Sequence, residues 1–150
     1  MKNDGKNQFS PLLHLTYLLQ QLTDENLLNT TGVGLSSARI MSALHGSPAV
    51  SQRTIAALLR QTEANVSRQL QVMRKQGLVK ISKNKKDSRQ RDVILTSKGS
   101  ARYQAAIKLI NNQQAEMSKL LTRNEKQAFD KAVANLVSGL NVIAATTRLL

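Results

Sequence analysis

Apolar side chains recur at helical spacing through most of the chain, and one stretch breaks that pattern in favour of strands. From Ser51 to Gly99 the order reads helix, tight turn, helix, strand, basic loop, strand, with a further helix opening at the end. The second of these helices is expected over Thr62 to Gln76. Val66, Leu70 and Met73 fall at i, i+4 and i+7 and make its inward stripe. Thr62 is placed to cap its free N–H groups, and Gly77 to end it. The opposite face presents Ala64, Asn65, Ser67, Arg68, Gln71 and Lys75. The preceding helix opens at Ser51 and is expected to turn Ile55, Leu58 and Leu59 inward. Arg60-Gln61-Thr62 joins the two helices without the glycine often found in such turns. Leu78 to Ile81 then alternates into a strand whose return partner is Val93 to Leu95. The segment between them, Lys83 to Arg91, is too polar to bury.

The flanks are helical. Ser10-Pro11 is a favourable helix opening, and Leu12, Leu15, Leu18, Leu19 and Leu22 form a stripe towards Leu28, widened by Leu13, Tyr17 and Leu27. Residues 29–34, with two glycines, should break this helix. A short helix from Ser36 to about His45 buries Ile40, Met41 and Leu44. After the strands, Thr96 or Ser97 caps a long helix to about Leu121. Ala101, Ala105, Leu109 and Ile110 mark one of its sides, and Tyr103, Ile107, Met117 and Leu120 lie further round. Thr122-Arg123-Asn124-Glu125 is a capping box announcing a last helix with Phe129, Ala132, Val133, Leu136, Val137, Leu140 and Ile143 at helical spacing. Two long helices joined by one tight turn predict an antiparallel hairpin. The apolar surface of both ends exceeds what a small lobe requires, which points to a dimerisation layer. The expected fold is mainly α (α+β): a winged helix-turn-helix with a two- to three-stranded β-wing and a helical layer from both termini. Its parts are a DNA-binding lobe over 35–99 and dimerisation helices over 10–30 and 100–148, within one domain of 150 residues.

Charge gives this plan a partner. The net charge is +13, and the segment from Ser51 to Arg91 holds eleven Lys or Arg against two acids. Nine of the thirteen net charges therefore sit on 41 residues, the footprint of a nucleic-acid surface rather than of general solubility. Arg68 is the first candidate for base readout at guanine, Asn65 suits adenine, and Ala64 a thymine methyl. Gln71 and Lys75 are placed to reach phosphates. Gln52 and Arg53, at a helix start, can hold a phosphate on free N–H groups and a cation. In the basic loop, Arg89 suits the minor groove. Lys83, Lys85, Lys86 and Arg91 suit phosphates.

These residues also carry a resemblance. Asp87-Ser88-Arg89, Val93, Leu95-Thr96 and Gly99 fit D-x-R-x-x-x-V-x-L-T-x-x-G, the wing pattern of the MarR family of bacterial transcriptional regulators. Met73 to Val79 is similar to that family's L-E-x-x-G-L-V, with Arg74 where the acid usually stands. The resemblance implies a homodimer on double-stranded DNA at a palindromic operator, more often a repressor. It implies that Asp87 orients Arg89, and that a small aromatic effector can bind between the DNA-binding and dimerisation parts. A basic protein coating DNA or RNA without sequence preference stays open, because phosphate attraction carries no sequence information. A winged helix used as a protein-interaction module stays open too, although the local charge opposes it.

Other chemistry finds little support. With no cysteine, disulfides, thiolate metal sites and thiol redox sensing are excluded. His14 and His45 stand apart from any metal-ligand spacing, and Gly32-Val33-Gly34 lacks the residues of a phosphate loop. No catalytic residue, metal or cofactor is expected. MKNDGKNQ precedes no apolar segment of signal-peptide type, so a cytoplasmic protein without membrane attachment is expected.

Overall fold

The computed structural model describes residues 10–84, 87 and 89–147. Lys85, Lys86, Ser88 and the polar N-terminal tail lie outside the described residues. The fold is mainly α, in the order α1 (Pro11–Thr31), α2 (Leu35–Leu44), β1 (Val50–Ser51), α3 (Gln52–Leu59), α4 (Glu63–Lys75), β2 (Val79–Lys83), β3 (Arg91–Leu95), α5 (Ser97–Ser118) and α6 (Arg123–Thr147). The residues divide into two compact units, with the boundary between Ile110 and Asn111.

Local hydrogen bonds set most element ends in the first unit. The Ser51 hydroxyl accepts from Thr54 N–H at 3.0 Å and opens α3. The Thr62 hydroxyl accepts from Asn65 N–H at 3.2 Å and opens α4. Gly34 precedes α2 without a side chain, so the Asp24 carboxylate of α1 does the capping, accepting from Leu35 N–H at 2.6 Å. An acid at a helix N-terminus is also favoured by the helix dipole. The turn between α3 and α4 works without glycine because Arg60 itself adopts the left-handed conformation, φ 53°.

The core gathers α2, α3, α4, the sheet and one turn each of α1 and α5. Val66, Leu70 and Met73 are all fully buried, as their spacing predicts. So are Ile40, Met41 and Ile55, with Leu44 nearly so. The sheet is antiparallel in the order β1-β3-β2, pairing Val50 with Val93 and Ile81 with Val93 from opposite sides. Val93 is thus the buried centre of three strands. α5 is tied down at its first turn. The Thr96 hydroxyl donates to Gly77 C=O at 2.7 Å and accepts from Gly99 N–H at 2.9 Å. Thr96 is therefore both the cap of α5 and its link to the end of α4.

Several expectations need correction. Leu58 is 62% exposed, and Ala56 takes the inward place beside Ile55, because α3 is rotated to pack against both α2 and α4. α1 ends inside the expected break at 29–34, after Thr31, where Gly32 takes the left-handed conformation. Its leucine stripe stays exposed or half-buried, and Leu27 alone of its leucines enters the core. On α5, Ala101 and Ala105 are exposed, and Ala106 is the alanine that fits the close approach to the core.

In the second unit, the capping box forms as its residues predict. The Glu125 carboxylate accepts from Thr122 N–H at 2.8 Å and from its hydroxyl at 2.7 Å, while Glu125 N–H donates back at 3.4 Å. The bond from the Thr122 backbone, then that from its hydroxyl, holds the Glu125 carboxyl below the usual carboxylate range. A lowered folded value means the cap is fully present above the ordinary value of about 4.3 and is lost as pH falls through the depressed one. Amide exchange in the first turn of α6 should therefore accelerate on acidification, and Glu125→Gln should remove that dependence. No described residue of α6 is buried, and its apolar stripe is exposed.

Candidate nucleic-acid interface

The cationic residues of α3, α4 and the wing surround two neighbouring clefts on the first unit. One, of about 290 Å³, is lined by Ser51, Gln52, Arg53, Glu63, Asp87, Arg89, Gln90 and Arg91. The other, of about 380 Å³, is lined by Gln52, Ser67, Gln71, Arg74, Ile81 and Arg91. Gln52 and Arg91 border both. Sequence positions as distant as 52 and 91 meet here because β1, which leads into α3, pairs with β3. That two-residue strand brings the start of α3 beside the base of the wing.

On α4, Ala64, Arg68, Gln71 and Lys75 are exposed. Asn65 and Ser67 are half-buried. One Asn65 amide N–H is donated to Gln61 Oε1 at 3.2 Å, and Gln69 Nε2 donates to the same oxygen at 2.9 Å. Asn65 and Gln69, one turn apart on α4, converge on the Gln61 side chain in the turn before the helix. This amide row was a signal in the sequence that the reading by charge overlooked. It fixes the Asn65 side chain.

The wing is shaped by its acids. Asp87 accepts from Arg89 backbone N–H at 3.0 Å and from Gln90 Nε2 at 3.1 Å, while its own N–H donates to Asn84 Oδ1 at 3.0 Å. The Asn84 amide in turn donates to both Asp92 oxygens, at 3.0 and 2.9 Å. Asp87 therefore positions Arg89 through the backbone of the turn. At the wing's base Lys83 sits directly across from Arg91. Like charges opposed on adjacent strands cost stability in the free protein, and a polyanion laid over them removes that cost.

A MarR-family sequence profile matches residues 31–90. Over residues 31–90 the chain is similar to the MarR family. By sequence similarity alone, no curated protein matches it. Solved MarR-type structures match its fold over most of its length. Wild-type apo MarR from E. coli is 20% identical, with a TM-score of 0.70 over 86% of this chain and 98% of that one. The S. aureus MepR–DNA complex is 18% identical, with a TM-score of 0.74 over 89% of this chain and 99% of that one. The M. tuberculosis regulator MOSR, also solved with DNA, is 24% identical, with a TM-score of 0.69 over 88% and 94%. At such identities the likeness establishes the shared fold.

The MarR wing pattern divides by role in this structure. Asp87 and Arg89 belong to the exposed turn. Leu95, Thr96 and Gly99 are scaffold, joining α5 to the end of α4. Gly99 is buried, and a Cβ there would fall on the Leu78 carbonyl group. Arg74 is exposed and lines the larger cleft. Reading it only as a departure from the pattern missed that placement. His45 ends α2, and its ring lies 4.6 Å from that of Tyr103. Among the described residues, no group of three or more His, Cys, Asp or Glu could hold a metal, and no helix is long and apolar enough to cross a membrane.

Proposed function

We propose that this protein is a sequence-specific, DNA-binding transcriptional regulator that acts as a homodimer on a palindromic operator, most simply as a repressor. The observation that carries the reading is the cationic surface shared by α4 and the wing, with the fixed Asn65 amide and exposed Arg68 and Gln71 on α4. Charge alone would suit any polyanion, whereas amides presented beside an arginine suit base edges. The MepR and MOSR structures, both in complex with DNA, support the same use of this fold.

In this arrangement α4 enters the major groove with its N-terminal half nearest the bases. Arg68 reads guanine, Asn65 adenine, and Ala64 and Ser67 the neighbouring edges. Gln71 and Lys75 reach the backbone as the helix leaves the groove. Arg53, Lys83, Lys85, Lys86 and Arg91 neutralise phosphates, Gln52 donates a hydrogen bond to one, and Arg89, positioned by Asp87, meets the minor groove. Two such heads one turn of DNA apart, roughly 34 Å, require a two-fold dimer. The exposed apolar stripes of α1 and α6 supply the surface for it.

A cleft of about 300 Å³ between α1 and α2, lined by Tyr17, Gln20, Gln21, Asp24, Glu25, Leu35, Ser36 and Arg39, is the place for a small effector that releases DNA. Its volume is at the low end for small-molecule sites. Tyr17 and Leu35 on its walls suit a small aromatic ring, and Asp24 and Glu25 beside Arg39 favour a neutral or cationic ligand over an anion.

Fluorescence anisotropy on DNA from upstream of the gene, against scrambled DNA at several salt concentrations, tests the function. A preference of roughly 10³ or more is expected of a specific regulator. Equal affinity for random-sequence pools and for every selected sequence would instead make it a general nucleic-acid binder. Arg89→Ala should weaken binding to all sequences by roughly tenfold, about 1.4 kcal/mol, without moving the melting temperature. Unchanged affinity would remove the wing from the interface.

A further inference from the structure

Resting on the DNA-binding reading, we infer that the larger cleft between α4 and the wing grips the DNA backbone and that Arg74 is a phosphate-contacting residue in it. Ser67, Gln71 and Arg74 lie at i, i+4 and i+7, so they form one stripe on α4 facing the cleft. Gln52 of α3 and Ile81 and Arg91 of the strands make the other walls. The lining thus offers two guanidinium groups, two amides and a hydroxyl, with no carboxylate. The neighbouring cleft differs, because Glu63 and Asp87 stand among its arginines. A space bounded by cations and neutral donors and free of acids is complementary to a phosphodiester.

Position along α4 separates backbone gripping from base reading. Arg74 lies two turns beyond Ser67, about 10 Å along the axis. If the N-terminal half of α4 faces bases, Arg74 stands where the helix passes the edge of the groove. Arg91, paired across the strands with Lys83, faces the same space from the wing. A backbone strand entering there would be held from both sides. An acid at position 74 would repel it, so the arginine turns a neutral edge of the reading head into part of its grip.

The test measures affinity against salt for the unaltered protein and for Arg74→Ala, Arg74→Glu and Arg102→Ala. Arg102 is an exposed cation on α5 away from the cleft and controls for net charge. Arg74→Ala should lower the slope of log affinity against log salt by about one per subunit, equally for preferred and scrambled DNA. Arg74→Glu should weaken binding further, and Arg102→Ala should leave the slope unchanged. Melting temperatures should stay within a degree or two, since Arg74 is exposed. An Arg74→Ala slope equal to that of Arg102→Ala, with Arg89→Ala still weakening binding, would overturn the cleft assignment and leave the DNA-binding reading standing. Saturable binding of inorganic phosphate that Arg74→Ala abolishes, with DNA affinity and its salt slope the same in both proteins, would assign the cleft to a free anion and also overturn the proposal. No DNA binding by the unaltered protein at low salt would overturn both readings.

Discussion

Gly99→Ala should destabilise the first unit by about 3 kcal/mol, near the upper end of what overpacking a core costs. In an exposed helix the same change would gain up to about 1 kcal/mol, because alanine is the better helix former. Here the added methyl would fall on the Leu78 backbone carbonyl and come within 3.1 Å of Leu95 Cδ2. Backbone cannot swing aside as a long side chain does. The first turn of α5 would have to lift, and lifting it breaks the Thr96 bonds to the Gly77 and Leu78 carbonyls, 2.7 and 3.2 Å long. Leu78 itself is buried at the start of the wing, so the displacement would spread into the base of β2. Urea denaturation checks the magnitude, and a neutral or stabilising result would mean that α5 is not seated against β2 as described. Because Gly99 touches no part of the cationic surface, the fraction still folded should bind DNA with unaltered salt dependence.

Placing charges on α6 should have the second large effect, this time on assembly. Leu136 and Leu140 are 50% and 59% exposed, and they lie on a stripe with Phe129, Val133, Val137 and Ile143. Covering the remaining half of each leucine contributes roughly 1 kcal/mol. Two such residues in each of two subunits make about 4 kcal/mol of dimer stability, close to a thousandfold in dissociation constant. Leu136→Glu with Leu140→Glu removes that and adds the cost of desolvating four carboxylates. Sedimentation velocity should then show a monomer at micromolar concentration, against a dimer expected for the unaltered protein. Affinity for a full palindrome should fall to that for a half-site. Unaltered protein sedimenting as a monomer would overturn the dimer proposal. A variant that remains dimeric would move the interface away from α6.

Short-range chemistry was the most readable part of this chain. Ser51, Thr62 and the Thr122–Glu125 pair cap their helices as expected, because both partners of each bond lie three residues apart and need only one turn of backbone to meet. The stripe Val66, Leu70 and Met73 was readable for a related reason. Three large apolar residues on one side of a thirteen-residue helix leave only one way to bury it. α3 is shorter, and both its sides carry apolar residues. Its sequence therefore could not say whether Ala56 or Leu58 turns inward, and packing against α2 and α4 decided it. The same holds for Ala106 over Ala101 and Ala105, since a long helix with scattered small residues can be rotated without changing its composition.

The candidate site was readable in its residues and not in its arrangement. Clustered charge between Ser51 and Arg91 marked the surface, and the wing pattern marked Asp87 and Arg89. Two details of that arrangement needed the tertiary structure. Asp87 works on Arg89 through the peptide backbone, and Arg74 lines a cleft with Arg91.

By itself, then, the sequence determined the identity of the helices and of two of the three strands, the caps between neighbouring residues, the inward stripe of α4 and the concentration of charge on one lobe. All of these follow from interactions that close within a turn or two of chain. Only the tertiary structure decided which face of α3 and α5 is covered, that β1 pairs with β3, that Gly99 must be glycine and that two acid-poor and acid-bearing clefts lie side by side. Each of these depends on segments tens of residues apart meeting at one place, and one-dimensional spacing carries no record of that distance.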